Sequence, residues 1–354
     1  MPAQRLAIAQ VTPFAWEVGN EVNAYVERVA GELSQRGHRV LTIAPSESPK
    51  LVRDSRRAIR SEPETLLERA ADGPIVLGVG EVLPFSPAKR RAASLPVDVA
   101  RTIEEALSVL PLDVVHVHEP FAPSASSVAL RQSRALNVGS FHAPTERVLS
   151  TQLTGPFSRR LFSRLDARVA SFRATRDLLQ QYFPGDYRVI LPGADAPTAE
   201  RGRSDVAKIA VIATEERAAV RVFLRALRLL PADLQWRATV WSRRPLTAPA
   251  TLSRALRERV QFVNADEYAP TDVLQEADVA VFASEGVRTA PSVLVRAIAA
   301  GAVPVASRLP DYFELLGDAE HGLLYEPGDS QTLSAHLARL IEDPKLADRQ
   351  RTGA

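Results

Sequence analysis

Apolar positions along the chain alternate between two spacings. Short runs rich in β-branched residues, such as LAIAQV (6–11) and DVVHVH (113–118), have the length and composition of buried strands. Between such runs lie longer stretches in which apolar residues recur every three or four positions, as in residues 21–35. That spacing is typical of an amphipathic helix. Strands that alternate with helices in this way predict parallel sheets built from βαβ units, and therefore an α/β fold.

The alternation of strands and helices runs through the first half of the chain and then begins again. A polar stretch with Pro197, Gly202 and the charged run ERGR (200–203) separates the halves and is typical of a linker. Before it we predict strands at 38–45, 75–80, 137–143 and 188–195 and helices at 124–133, 161–169 and 173–182; after it, strands at 208–213, 236–241, 260–263, 278–283, 303–307 and 322–325 and helices at 216–230 and 292–300. The prediction is two Rossmann-like domains, residues 1–195 and 196–354, that face each other across a cleft.

Composition and charge exclude several classes of protein. The 354 residues suffice for two domains, and no apolar run approaches the roughly 18–20 residues of a membrane span. The chain has no cysteine, which excludes disulfides, thiolate catalysis and thiolate-bound metal. A formal net charge of +2 is too small to indicate a nucleic-acid partner. The N-terminus has no signal-peptide pattern, so we expect a cytoplasmic protein.

Several segments, in the same order along the chain, resemble glycosyltransferase family 4. In the first half, DVVHVHEPFAPS (113–124) is similar to the corresponding segment of bacterial phosphatidylinositol mannosyltransferases. In the second half, ADVAVFASEG (277–286), VLVRAIAAGAVPVAS (293–307) and HGLLYEPGDSQTL (321–333) resemble the family's strand and loop over the nucleotide-sugar site and the segments that follow. The resemblance implies the GT-B fold. In an active member it implies retaining transfer of a hexose from a nucleotide-sugar to a lipid or glycan acceptor.

The resemblance also assigns each domain to one side of the site. Residues 1–195 correspond to the acceptor-side domain and residues 196–354 to the nucleotide-sugar-side domain. The second domain would lack the family's usual long C-terminal crossover helix. We expect Pro344 to end the last long helix and to leave a short, exposed tail. The resemblance implies no metal or other cofactor.

The second domain departs from the family at the positions that bind the leaving diphosphate. The family is taken to supply an arginine and a lysine there, and this chain has Ala213 and Ala218 instead. Neither alanine can contact phosphate electrostatically. Arg217 and Arg221 lie nearby and are candidate replacements, although each is displaced around the helix by about 100° per residue.

A second departure affects a pair of family glutamates, eight residues apart, that contact the sugar and the ribose. Counting back along the predicted helix, the pair falls on Arg288 and Arg296, which carry donors where acceptors belong. When the alignment is anchored on Glu285 instead, Glu285 is the first carboxylate and Pro291 replaces a family glycine. Proline has no backbone N–H to offer a ligand. The two arginines either form a new site for a phosphate or carboxylate, or lie on solvated surface.

The first domain keeps part of the family pattern. The glycine pair before the first helix is replaced by Asn20 and Glu21, with only Gly19 upstream, and a glutamate there would repel a diphosphate. His142 stands where the family has a histidine near the reacting centre. It is the candidate catalytic residue, or alternatively a structural histidine at a strand end.

His116 and His118 alternate on one predicted strand and therefore point to one face. A metal site would need a third ligand, so we expect a polar network and no bound metal. The basic runs VRDSRRAIR (52–60) and SPAKRRAAS (86–94) are expected to be solvated, with membrane contact as the alternative.

Two functions therefore remain open, and the sequence leaves enzymatic activity undecided between them. One is a catalytically impaired or silent relative that acts through binding or scaffolding, with a protein partner or a second copy of the chain. The other is an active retaining glycosyltransferase. The expected ligands are a weakly bound nucleotide-sugar or another anion. The expected location is the cytoplasm, with peripheral contact at the inner face of the membrane as an option.

Overall fold

The computed structural model describes residues 5–81, 97–121, 124–142, 149, 156–194, 206–249, 252–318 and 320–352. The chain folds as two compact units, Met1–Leu191 and Pro192–Ala354. Each unit is α/β and contains one parallel sheet. The predicted linker and the basic run at 86–94 lie outside the described residues, so the structure does not describe either of them.

Unit 1 is a parallel sheet of seven strands in the order β3-β2-β1-β4-β5-β6-β7. Its elements are β1 (Ala7–Val11), α1 (Glu21–Gln35), β2 (Arg39–Ser46), α2 (Pro49–Ser61), α3 (Pro63–Arg69), β3 (Ile75–Glu81), α4 (Val97–Val109), β4 (Val114–His118), α5 (Ala125–Gln132), β5 (Leu136–Phe141), α6 (Pro156–Phe162), β6 (Ala167–Ala170), α7 (Arg173–Tyr182) and β7 (Arg188–Val189). Buried apolar side chains from most of these strands and helices form a core.

One segment of unit 1 was predicted with the wrong secondary structure. We expected a helix over 161–169, but the helix ends at Phe162 and Ala167–Ala170 is a strand that pairs in parallel with β5. Asp166 sets this pairing, because its carboxylate accepts a hydrogen bond from the Asn137 backbone N–H at 2.7 Å. Such a short apolar run is ambiguous by periodicity, and the neighbouring strand decides its conformation.

Unit 2 is a parallel sheet of six strands in the order β10-β9-β8-β11-β12-β13. Its elements are β8 (Ala207–Ile212), α8 (Arg217–Leu229), β9 (Trp236–Ser242), α9 (Arg254–Arg259), β10 (Val260–Asn264), α10 (Pro270–Glu276), β11 (Val279–Phe282), α11 (Pro291–Ala299), β12 (Val303–Ser307), α12 (Pro310–Leu316), β13 (Leu323–Tyr325), α13 (Ser330–Glu342) and α14 (Pro344–Thr352). Alternate residues of its strands belong to two apolar cores, one on each face of the sheet.

The last helix corrects the expectation of an exposed tail. The long helix α13 ends at Glu342, as Pro344 predicted. The following residues form α14, which buries Leu346 and Ala347 in the core of unit 2. Arg351 donates a hydrogen bond from Nε to the Gly301 carbonyl oxygen at 3.2 Å. The residues after Pro344 are therefore packed on their own unit.

Both sheets reverse their strand order at one point, β1/β4 in unit 1 and β8/β11 in unit 2. In doubly wound sheets of this kind, ligands bind outside the carboxyl ends of the strands at the reversal. The loops that follow these four strands are therefore the places to look for functional groups.

Candidate functional site

In unit 2, the middle of the loop that follows β11 is held by one carboxylate. Glu216, the N-cap residue of α8, receives the backbone N–H of Glu285 at 2.6 Å and that of Arg288 at 3.1 Å. The hydroxyl of Ser284 lies 3.1 Å from one oxygen of this carboxylate and 3.0 Å from the other. Gly286 makes the turn between these donors at φ +96°, a left-handed conformation that favours glycine.

The preceding residue, Glu215, fixes the two ends of the same loop. Its carboxylate accepts a hydrogen bond from the Ala283 N–H at 2.8 Å and another from the Tyr312 hydroxyl. The Tyr312 oxygen in turn accepts the Ala290 N–H at 2.7 Å. Glu215 and Tyr312 are both buried, at 8% and 0% exposure. The segment 283–290 is therefore held at its start by Glu215 and in its middle by Glu216. Its end is held by Tyr312, which is itself hydrogen-bonded to Glu215.

The two glutamates differ in their affinity for protons. Burial raises the pKa of Glu215 to about 7, against the opposing effect of the hydrogen bonds from Tyr312 and Ala283. For Glu216 burial also acts to raise the pKa, but the hydrogen bonds from the loop, led by the Glu285 N–H, hold it below its ordinary value. Glu216 is therefore the ionised member of the pair near neutral pH, and Glu215 titrates there.

Of the four residues of unit 2 that are candidates for binding a nucleotide-sugar, two lie in this loop and two lie on helices. Glu285 and Arg288 lie in it with exposed side chains, and only their backbone N–H groups contact Glu216. Arg217 follows Glu216 directly, as the exposed first residue of α8. Arg296 is half-buried on α11 and donates from Nε to the Ser292 carbonyl oxygen at 3.3 Å.

The positions that depart from the family pattern have structural surroundings of their own. Ala213 is half-buried against the core, and its N–H donates to the Trp241 carbonyl oxygen at 2.8 Å. Ala218 is half-buried in the first turn of α8. Pro291 is the buried first residue of α11, where its missing N–H costs no helical hydrogen bond.

In unit 1, four polar side chains form a chain of hydrogen bonds across the carboxyl ends of the strands. His118 Nε2 lies 2.7 Å from Gln10 Oε1, and His118 Nδ1 lies 3.1 Å from His142 Nε2. His142 Nδ1 lies 2.9 Å from the Ser171 hydroxyl. Residues from β1 and β4 and from the segments after β5 and β6 thus meet in one line. His116 bonds separately to Ser140 at 2.7 Å, with its ring beside that of His118, as the alternation predicted.

The donor and the acceptor of each hydrogen bond in this series follow from the Gln10 side chain at its end. An amide oxygen can only accept, so His118 carries its proton on Nε2 and accepts at Nδ1 from His142 Nε2–H. His142 Nδ1 then accepts the Ser171 hydroxyl proton. Burial lowers the pKa of His142 to about 3 and that of His118 well below its ordinary value. His142 is therefore neutral, and both of its ring nitrogens are engaged within the protein.

The surroundings of His142 include a strained backbone. Glu119 has φ +45°, which is uncommon for a residue with a side chain, and its carboxylate accepts the His142 N–H at 2.6 Å. The Tyr25 ring packs against His142 with centroids 4.8 Å apart. Backbone strain of this kind tends to collect at functional sites.

The loop before α1 carries the remaining candidates of unit 1. Asn20 caps α1 by accepting the Asn23 N–H at 2.9 Å, and Glu21 is the first helical residue. Gly19 is exposed just upstream. The position that the family gives to a glycine is thus used here as a helix cap. Within the described ranges, no group of three or more histidine, aspartate or glutamate side chains is arranged to hold a metal ion.

Sequence reasoning missed five residues of these two clusters: Glu215, Glu216, Tyr312, Gln10 and Ser171. Only Glu216 had an available signal, because acidic residues are enriched in the first turn of a helix and Glu216 opens the helix predicted over 216–230. Its partners lie 68 to 72 positions away in the sequence, and only the strand order brings them together.

Two Rossmann-like units in tandem, each with polar groups gathered at the reversal of its sheet, define the GT-B class of glycosyltransferase fold. Models of two families match the chain, "Glycosyltransferase Family 4" over residues 22–196 and "Glycosyl transferases group 1" over residues 205–343. The chain belongs to glycosyltransferase family 4.

Known proteins of similar sequence carry one name. The phosphatidyl-myo-inositol mannosyltransferase of Mycolicibacterium smegmatis is 26% identical over 96% of this chain and 86% of its own length. That of Mycobacterium leprae is 26% identical over 97% of this chain and 90% of its own.

Solved structures of similar fold include Anabaena Alr3699/HepE in complex with UDP and glucose. It has a TM-score of 0.67 and 17% identity, over 98% of this chain and 94% of that one. Sucrose-phosphate synthase from Thermosynechococcus elongatus has a TM-score of 0.66 and 16% identity, over 99% of this chain and 93% of that one.

Proposed function

We propose that this chain is a family 4 glycosyltransferase relative with an impaired donor site, which acts by binding more than by sugar transfer. Its ligand class is that of its relatives, a nucleotide-sugar or the lipid or glycan acceptor. It holds the nucleotide-sugar weakly. A protein partner or a second copy of the chain is the counterpart that a scaffolding role requires.

The charge at the carboxyl end of β8 carries this proposal. A leaving diphosphate needs cations, and the residues that face the loop there are two carboxylates, Glu215 and Glu216. Alanines stand at the two positions where the family has cations. The loss of one transition-state charge contact commonly costs about 10²–10³ in rate. A site with two alanines in place of the cations, and two carboxyl groups beside them, is expected to transfer sugar very slowly.

A restored variant tests the proposal. Ala213→Arg, Ala218→Lys and Arg296→Glu together return the family's residue types, and they leave the net charge of the chain unchanged. We expect the restored protein to bind UDP- or GDP-linked hexoses at least tenfold more tightly than the natural chain. Release of the free nucleotide should be detectable only with the restored variant. The proposal would be overturned if the natural chain released nucleotide rapidly and the variant bound nucleotide-sugars no more tightly.

A second candidate is the active retaining glycosyltransferase, favoured by the match to named mannosyltransferases over nearly the whole chain. In that case other cations must have replaced the missing pair. Arg217 and Arg288 are exposed. Arg217 follows Glu216 in the sequence, and Arg288 donates its backbone N–H to Glu216 from the loop. Arg217→Gln with Arg288→Gln should then abolish nucleotide-sugar binding. Arg225→Gln with Arg228→Gln, two exposed changes further along the same helix, is the control and should leave it intact.

Peripheral contact with an anionic membrane is a further part of the proposal. Helix α2 buries Val52 and Ile59 and presents Lys50, Arg53 and Arg57 on its exposed side. These three cations are spaced three and four residues apart and so share a face. Every described helix is too short or too polar to traverse a lipid bilayer.

Vesicle sedimentation tests this membrane contact. Changing the three exposed cations of α2 to glutamine should reduce binding to vesicles rich in anionic lipid. The same changes at Arg221, Arg225 and Arg228 of α8 remove equal charge from an exposed helix face and serve as the control. An equal loss of vesicle binding in both variants would indicate that the protein is attracted to anionic lipid by its overall charge and not through α2.

A further inference from the structure

Three donors of the loop after β11 converge on one group. Two backbone N–H groups, from Glu285 and Arg288, and the Ser284 hydroxyl meet the two oxygens of Glu216 at 2.6 to 3.1 Å. The ionised carboxylate is matched to this set, because charge-assisted hydrogen bonds from N–H groups are short and strong. Glu216 is therefore the anion that the loop binds in this structure.

The loop has little freedom to offer its donors elsewhere while Glu216 is in place. Its start is fixed by the Ala283 N–H on Glu215 and its end by the Ala290 N–H on Tyr312. The Gly286 N–H is also used, since it donates to the Ser284 hydroxyl oxygen at 3.0 Å. A phosphate group that approached the loop would find its donors occupied and a like charge among them.

We propose that Glu216 is a specificity determinant of unit 2, which excludes phosphate-bearing ligands from the loop 284–288 by occupying its donors. The proposal deepens the proposed function, on which it rests, because it names the residue that keeps a diphosphate out. It differs from the absence of cations at Ala213 and Ala218. Those positions weaken the attraction for an anion, whereas Glu216 fills the place that the anion would take.

Replacing Glu216 with serine is the direct test. Serine is small, carries no charge and is a preferred N-cap residue, so it suits the start of α8, where Glu216 makes no side-chain capping hydrogen bond, while the loop donors are released. The probe is inorganic pyrophosphate, titrated by calorimetry at pH 7.5. The natural chain should show no saturable binding. The variant Glu216→Ser should bind with a Kd at least tenfold lower than the limit set for the natural chain.

The control is Glu285→Ser, which removes an equal charge from the loop itself but leaves the Glu216 carboxylate in place. Glu285 is exposed, and only its backbone contacts Glu216. We expect no gain in pyrophosphate affinity for this variant. Equal gains in both variants would show that overall charge, and not occupancy of the donors, governs binding, and would overturn the proposal.

A second variant, Glu216→Asn, has a shorter side chain than glutamate, carries no charge and is also a preferred N-cap residue, so it guards against a folding defect in the serine variant. Thermal unfolding of each protein establishes that it is folded. If folded Glu216→Ser and Glu216→Asn both fail to bind pyrophosphate, the specificity proposal is wrong. The proposed function would survive that failure, because it depends on the affinity of the natural chain for nucleotide-sugars.

Discussion

Glu215 is a buried carboxylic acid at the carboxyl end of β8, and it should make the stability of unit 2 depend on pH. Its exposure is only 8%, and its hydrogen bonds come from the Ala283 N–H and the Tyr312 hydroxyl. The informative perturbation is Glu215→Gln. Glutamine has the same shape, can accept from the Ala283 N–H, can donate to Tyr312 and never ionises.

The magnitude follows from the pKa of Glu215, which burial raises from an ordinary 4.5 to about 7. The folded protein therefore holds this proton more tightly than the unfolded chain does. The resulting stabilisation is present in full below pH 4.5 and is lost as the pH rises through about 7. The pKa difference corresponds to about 3 kcal/mol in the free energy of unfolding. About 2.5 kcal/mol of this should disappear between pH 5 and pH 8.

The assay is urea unfolding of both proteins at pH 5, 6, 7 and 8. Trp236 and Trp241 report on unit 2, and Trp16→Phe in both proteins removes the tryptophan of unit 1. Subtracting the natural chain from the variant cancels the other titrating groups, including the unit 1 histidines. We expect Glu215→Gln to gain about 2.5 kcal/mol relative to the natural chain as the pH rises from 5 to 8.

Glu285 offers the matched control, since Glu285→Gln makes the same chemical change at an exposed position of the loop that Glu215 holds. The difference in free energy of unfolding between Glu285→Gln and the natural chain should not vary with pH by more than about 0.5 kcal/mol, as for ordinary surface substitutions. A flat difference for Glu215→Gln as well would refute the reasoning. The Glu215 carboxyl would then ionise as easily in the folded protein as in the unfolded chain.

Three further predictions test the geometry of the two clusters. Tyr312→Phe should cost about 1–3 kcal/mol in urea unfolding, because it leaves the buried Ala290 N–H unpaired, and a loss below about 0.5 kcal/mol would contradict this. His142 should stay neutral from pH 8 to pH 5 in an NMR titration of its ring protons, because burial lowers its pKa to about 3, and a midpoint near 6.5 would be inconsistent with the hydrogen-bond chain. Gly286→Ala should lower stability by about 1–2 kcal/mol, because its φ is +96°. Gly31→Ala is the control, because Gly31 lies in a helix and its new methyl group would meet no neighbouring atom within 4 Å. It should raise stability by about 0.5–1 kcal/mol. Equal effects of the two changes would argue against backbone strain at Gly286.

The fold could be predicted largely because its local signals agree with its packing. The helix at 21–35 was predicted at its observed bounds, since Asn20 caps it and Gly37 follows it at φ +89°. The strand at 303–307 is likewise a buried run after a helix stop. Helices α2 to α4 were not predicted. Most of α2 is charged, and its buried face consists of only Val52, Ser55 and Ile59.

The site was less predictable, because its contacts are made by backbone groups and by residues far apart in the chain. Alignment drew attention to the side chains of Arg288 and Glu285, whereas the structure uses their N–H groups. Which residue those groups would bind depends on β8 lying beside β11 in the sheet. The prediction for His142 had a similar limit. Its resemblance to a family histidine could not reveal that Ser171 and His118 occupy both of its ring nitrogens.

The most direct test of the account is calorimetric titration of the natural chain with UDP- and GDP-linked hexoses. We expect that neither binds with a Kd below about 1 mM, a binding free energy of about −4 kcal/mol. A saturable isotherm with a micromolar Kd for either nucleotide-sugar would contradict it. The loop at 284–288 would then accept a diphosphate despite Glu216, and the chain would be better described as an active glycosyltransferase.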